Sequence, residues 1–98
     1  MGAEQSVADT KVVYVPARPL TAGGRKDVAF ELRQLPTGEQ AAIAFTTLRR
    51  LVDALGKAQP WLAMPLGRLR EVVGSSGIAR VAVDPVVPAG AWRWTSDR

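Results

Sequence analysis

The residue types that usually carry catalysis are scarce in this chain. It contains no histidine and no cysteine, which removes the usual general base near neutral pH, the commonest metal ligands and the thiol nucleophile. An enzyme of this composition would have to use carboxylates such as Glu31, Asp53 or Asp84, and no spacing along the chain brings two of them together. We therefore predict a protein that is not an enzyme, with no catalytic residue, no metal ligand and no cofactor.

Two glycine-rich segments have the composition of ligand-binding or nucleophilic sites. Residues 23–26, GGRK, could offer backbone amides and two cations to a phosphate. A phosphate loop runs into a helix, however, and here a strand-like alternation follows. Residues 74–77, GSSG, contain two serines without a neighbouring base to activate them. We interpret both segments as loops.

Thr46 and Thr47 lie where a predicted strand passes into a predicted helix. Ligands of open α/β sheets bind at such carboxyl ends of strands. A threonine hydroxyl at the start of a helix also accepts a hydrogen bond from a free backbone amide. We favour the capping role, and we keep the two threonines as the candidate rim of a site for a small anion.

Two tryptophans close the sequence in an otherwise polar segment, Trp92-Arg93-Trp94. In an extended conformation both indoles lie on one side, and Trp and Arg are typical anchors of protein interfaces. A tail folded back over the protein's own core explains the segment equally well. Base stacking on the two rings, beside Arg80 and Arg93, is a third interpretation.

The chain is moderately basic, with 13 basic and 9 acidic residues and a net charge of +4. The first predicted helix carries Arg49, Arg50 and Lys57 away from its apolar stripe. Solvation of an exposed helix face explains these cations, and attraction to an acidic protein partner is the functional alternative.

The helices and strands predicted from the sequence are short and closely joined. β-branched and aromatic residues predict a first strand over residues 11–15, which Pro16 ends, followed by a loop over residues 18–27. Alternating apolar residues predict a second strand over residues 28–35. Turn-forming residues then predict a hairpin to a third strand over residues 40–45.

The second half of the chain predicts two helices and two strands. Apolar residues at i, i+3, i+4 and i+7 from Leu48 predict a helix that ends at Gly56. Residues 61–64 are apolar throughout and predict a central strand covered on both faces, with Trp61 in the core. A second helix and a last strand complete the order β-β-β-α-β-α-β, with right-handed crossovers at its two parallel returns.

These elements predict one compact α+β domain with a mixed sheet and two helices. The domain covers residues 11–88, between a flexible N-terminus, residues 1–10, and a C-terminal tail, residues 89–98. A content of 47% apolar and 22% charged residues is typical of globular proteins. Glu4 and Asp9 lie where a signal peptide would need a basic start and an apolar core, so we expect a cytoplasmic protein without a membrane partner.

Residues at the boundaries of these elements form a recognisable pattern. They are Val13 to Pro16, Ala44 to Leu48, Gly56, Gln59 to Trp61, Pro65-Leu66 and Val83 to Pro85. With them the chain, from Lys11 to about Pro88, resembles the N-terminal domain of the SseB (enhanced serine sensitivity) family, especially its short single-domain actinobacterial forms. The family's usual Phe-Thr-Ser and Asn-Pro are Phe-Thr-Thr and Asp-Pro here, and both changes keep a capping oxygen. The resemblance implies a small cytoplasmic accessory or interaction domain and brings no catalytic residues.

The functional expectation is a non-catalytic protein-interaction or accessory module of a bacterial cytoplasm. Binding would use the Trp92–Trp94 tail, an exposed sheet edge or the basic face of the first helix, and self-association is one variant. The alternative is a nucleic-acid-binding protein that uses its arginine-rich surface and tryptophan stacking. A small-ligand-binding domain and a carboxylate-based enzyme are further alternatives.

Overall fold

The computed structural model describes residues 7–85 of the chain. The elements are β1 (Val12–Ala22), β2 (Arg25–Phe30), β3 (Leu32–Gln34), β4 (Gln40–Ala44), α1 (Leu48–Leu55), β5 (Trp61–Pro65), α2 (Leu66–Gly74) and β6 (Arg80–Val83). The α+β class and the order of strands and helices are confirmed, with the predicted second strand divided at Glu31. Residues 1–6 of the predicted N-terminal segment and the whole predicted tail lie outside the described residues.

The first strand is longer than its composition suggests. β1 continues through Pro16 to Ala22 and forms an antiparallel hairpin with β2, so the predicted loop over residues 18–27 is wrong. The connection between β1 and β2 consists of Gly23-Gly24 alone, whose φ angles of 61° and 81° suit a tight hairpin turn. Pro16 is tolerated because a strand needs only its carbonyl, which accepts a hydrogen bond from the Glu31 amide at 3.0 Å.

The strands form two three-stranded sheets joined by one bridge. One sheet has the order β2-β1-β5, with antiparallel pairs throughout. The other has the order β3-β4-β6, in which β3 is antiparallel and β6 parallel to β4. Tyr14 of β1 and Phe45, just after β4, exchange two backbone hydrogen bonds of 2.8 Å each. Because β5 and Phe45 both pair antiparallel with β1, strands β4, β5 and β6 run in the same direction.

Each helix covers one face of this arrangement. On the α1 face the buried residues are Ile43, Phe45, Leu51 and Leu55, with Tyr14, Ala54 and Ala82 packed against them. On the α2 face they are Val13, Val15, Ala42, Ala44, Leu66, Leu69 and Val73. Odd and even residues of β4 therefore serve different cores, as strand alternation requires. Neither described helix is long and apolar enough to cross a membrane.

The prediction that β5 is a central strand is wrong. Among the described residues β5 pairs with β1 alone, and Trp61 and Leu62 are 41% and 38% exposed. Trp61 does not enter the core but contacts Tyr14 edge-on, with ring centroids 5.6 Å apart. A short apolar run is compatible with a central strand or an edge strand, because its composition does not show whether a second strand pairs with it.

We predict that Leu51→Ala lowers the free energy of unfolding by about 2–5 kcal/mol, because the side chain is fully buried between α1 and the sheet. Chemical denaturation measures the change. The matched control is Leu48→Ala on the same helix, where the side chain is only partly buried and the loss should be less than half as large. Equal losses at the two positions would contradict the assigned orientation of α1.

Candidate functional site

The strand-to-helix junction after β4 is held by a helix cap. Thr47 has extended φ and ψ angles of −136° and 152°, and its Oγ1 accepts a hydrogen bond from the Arg50 amide at 3.1 Å. This is the geometry of a threonine N-cap. The capping role predicted for the two threonines belongs to Thr47.

Thr46 has a different partner, the carboxylate of Asp84. The Thr46 amide donates to Asp84 Oδ1 at 2.9 Å, and the Thr46 hydroxyl donates to Oδ2 at 2.8 Å. The Asp84 amide in turn donates to the Ala44 carbonyl at 2.8 Å. The amide and hydroxyl that an anion would use at this rim are therefore bonded to the protein's own carboxylate.

The contact depends on the parallel pairing of β4 with β6. The register places Ala44 opposite Val83, so the residues that follow the two strands emerge side by side. Thr46 and Asp84 are 38 positions apart in sequence. In the sequence Asp84 is a lone carboxylate, because neither composition nor spacing reveals which two strand ends meet. The signal that could have found the pair is a polar residue within two positions of the end of each of two parallel strands.

Asp84 adopts an unusual backbone conformation. Its φ of 51° is the one positive value at a non-glycine residue in the described part of the chain. Asp and Asn visit this left-handed region more readily than other side chains, and the residue before a proline normally prefers an extended conformation. The three hydrogen bonds of Asp84 offset this conformational cost and fix where the chain leaves β6.

Two of the three cations predicted for the basic face of α1, Arg49 and Arg50, lie beside carboxylates, and Lys57 follows the end of the helix. Arg49 Nε lies 3.6 Å from Asp53 Oδ2, one turn along the helix. Arg50 Nε lies 3.9 Å from Asp84 Oδ2, and its side chain is 63% exposed. Exposed pairs of this kind contribute little to stability, but they reduce the positive field that this face offers to an acidic partner.

A shallow cleft opens beside this junction. Its volume is about 260 Å³, and its lining consists of Phe45, Arg50, Asp53, Ala54, Asp84 and Pro85. Two of the three candidate carboxylates, Asp53 and Asp84, thus meet at one cleft, whereas Glu31 lies elsewhere, 3.5 Å from Arg18 Nε. Each carboxylate faces an arginine, so none is placed as a free general base. No group of three or more potential metal ligands occurs among residues 7–85.

A second, larger cleft lies on the α2 side and is mainly apolar. It measures about 440 Å³, and its apolar lining comes from Val28, Phe30, Leu32, Leu62, Val72, Val73 and Ile78. The alternation of Val28, Phe30 and Leu32 in the sequence indicated an apolar face. The gap between that face and the end of α2 depends on how the helix packs on the strands, which the sequence does not show.

Exposed apolar side chains concentrate at the β5 end of the first sheet. Among the described residues the large exposed hydrophobic side chains are Val12, Val28, Trp61 and Leu62. Three of these lie on β5 or on the paired part of β1, where Val12 faces Pro65 and Pro16 faces Trp61. This surface is not apparent from the sequence, in which the apolar composition of β5 predicts a strand inside the sheet. The predicted partner-binding residues Trp92, Arg93 and Trp94 lie outside the described residues.

No protein-family model, curated protein or solved structure matches the chain. The resemblance to the SseB family therefore stays a prediction that is carried by residues at element boundaries.

We predict that Asp84→Ala lowers the free energy of unfolding by about 2 kcal/mol, since it removes the carboxylate that accepts both Thr46 hydrogen bonds. Thr46→Val removes only the hydroxyl and should cost about 1 kcal/mol. In a double-mutant cycle measured by denaturation, the two changes should couple by about 1 kcal/mol.

Thr47→Ala is the matched control for this cycle. It removes the helix cap, at a cost of about 1 kcal/mol, but its hydroxyl contacts the Arg50 amide rather than Asp84. Its effect should add to that of Asp84→Ala. Additive effects of Thr46→Val and Asp84→Ala would instead show that the bond between the Thr46 hydroxyl and the carboxylate does not stabilise this junction.

Proposed function

We propose that the protein is a non-catalytic protein-interaction module, an accessory or regulatory component of a bacterial cytoplasm, which binds its partner through the β5 edge. By the β5 edge we mean Trp61, Leu62 and Ala63 of β5 together with Val12 of β1. The observation that carries the proposal is that this strand has an unpaired side among the described residues and that its two largest side chains are exposed.

The β5 edge has the properties of a binding surface rather than of a solvated one. Tryptophan is typical of the energetic centre of interfaces, and Trp61 is supported from the side by the Tyr14 ring, 5.6 Å away. A tryptophan held in this way loses little conformational freedom when a partner covers it. Native edge strands usually carry charges that prevent pairing with other chains, and the sequence of β5, WLAMP, carries none.

The charges of the described residues support a nucleic-acid-binding function less well. Five arginines lie within 4.0 Å of a carboxylate: Arg18, Arg49, Arg50, Arg70 and Arg80. Affinity for nucleic acid comes mainly from cations that neutralise phosphates. Cations that already face carboxylates contribute less to such a surface. The resemblance to the SseB family also favours an interaction domain.

We predict that Trp61→Ala reduces binding of the protein's partner at least about tenfold, the loss typical of an interface anchor. The partner is identified by affinity purification from the native host with mass spectrometry. Its binding to the purified variants is then measured directly. Val28→Ala is the matched control, because it truncates a similarly exposed apolar side chain on β2.

A variant that lacks residues 91–98 separates the β5 edge from the tail. We expect the variant with this deletion to retain binding and Trp61→Ala to lose it. Circular dichroism should show that both variants are folded. Unchanged binding by Trp61→Ala would overturn the β5 edge as the site.

A further inference from the structure

The backbone of β5 points its hydrogen-bonding groups alternately toward β1 and away from it. The Ala17 amide donates to the Pro60 carbonyl at 3.0 Å, and the Leu66 amide donates to the Lys11 carbonyl at 2.9 Å. These two bonds flank the β1–β5 ladder, in which Leu62 and Met64 lie opposite Val15 and Val13. Even-numbered residues therefore bond to β1, and the N–H and C=O groups of Trp61 and Ala63 point outward.

We propose that the β5 edge pairs with the β5 edge of a second copy of this chain, as two antiparallel strands about a twofold axis. This inference rests on the proposed function, since it names the partner of the same surface. In the register that matches Trp61 with Ala63 of the other copy, each such pair exchanges two N–H···O=C bonds, and the symmetry supplies two pairs. A register centred on Ala63 would place Pro65, which has no N–H, opposite Trp61.

The side chains fit the same register. Leu62 lies on the α2 side of the sheet, where it lines the larger cleft, and the twofold axis brings it against Leu62 of the other copy. Trp61 lies on the opposite side, beside Tyr14, where it covers Ala63 of the other copy. A large residue thus faces a small one, and each copy buries the two side chains that are exposed on its own edge.

Charge favours a second copy over an acidic or basic partner. β5 has no ionisable residue, so two copies meet there without like-charge repulsion at the contact. The same lack of charge gives the edge no electrostatic means of selecting a charged peptide. The net charge of +4 on each chain acts over longer distances, where salt screens it.

The first test is the oligomeric state of the full chain by sedimentation equilibrium. We expect a reversible dimer, with Ala63→Pro raising its dissociation constant at least about tenfold. That change removes an outward N–H and leaves the β1–β5 bonds in place. Val28→Ala is the control and should not change the constant. A monomer at the highest attainable protein concentration would overturn the inference.

The second test does not depend on tolerance of proline. The chain contains no cysteine, so Leu62→Cys introduces a single thiol. Residues opposite each other in a non-hydrogen-bonded antiparallel pair lie within disulfide range. Mild oxidation should link Leu62→Cys chains into a covalent dimer, whereas Val28→Cys should remain monomeric on a non-reducing gel. Efficient linkage of Ala63→Cys but not of Leu62→Cys would overturn the register.

The outcomes also separate this inference from the proposed function. A monomer that still binds a different protein in a Trp61-dependent manner overturns the second copy as the occupant and leaves the proposed function intact. A monomer whose binding is insensitive to Trp61→Ala overturns both.

Discussion

A pair of backbone hydrogen bonds between Tyr14 and Phe45 joins the two three-stranded sheets. The side chains of both residues lie on the α1 face, so the bridge also sets the surface on which α1 packs. From Tyr14 the effect extends to the β5 edge through the contact with Trp61. From Phe45 it extends along the chain to Thr46 and its bond to Asp84. This pairing thus links the α1-side core to the Thr46–Asp84 junction and to the β5 edge.

The junction after β4 uses the anion-binding capacity of a strand-to-helix turn for stability. A free amide and a hydroxyl in this position can hold a phosphate or a carboxylate from solution. Here the carboxylate of Asp84 supplies the anion from within the chain, and Arg50 lies at its outer side. An internal carboxylate has no translational freedom to lose, so it competes effectively with a weakly bound external ion. The strand-to-helix junction, where ligands of such folds usually bind, is therefore a weaker candidate for binding than the β5 edge.

The local sequence pattern predicted the helices and strands of this protein better than it predicted which of them lie side by side. The apolar spacing from Leu48 and the glycine at position 56 identified α1, since both signals act within one segment. The predicted first strand ends before Pro16, because proline is a strong local signal for the end of a strand. In the structure β1 continues, since the missing N–H of Pro16 is tolerated where only its carbonyl is bonded. Trp61 was assigned to the core because hydrophobicity does not reveal whether a strand has one neighbour or two. The Thr46–Asp84 contact was missed for the same reason, as it depends on which strands lie side by side.

The prolines that flank β5 limit what its exposed edge can do. Pro65 would present its nitrogen outward and has no N–H there, so a ladder along this edge cannot extend beyond Ala63 in that direction. Pro60 precedes the strand, and its carbonyl is already bonded to Ala17. Within residues 7–85, the outward groups of Trp61 and Ala63 are the ones left for pairing on this edge, and this stretch is too short to template a fibril. The proposed twofold contact between two such edges would consume both of them, so the assembly would close at the dimer and leave neither β5 edge free to recruit a third chain.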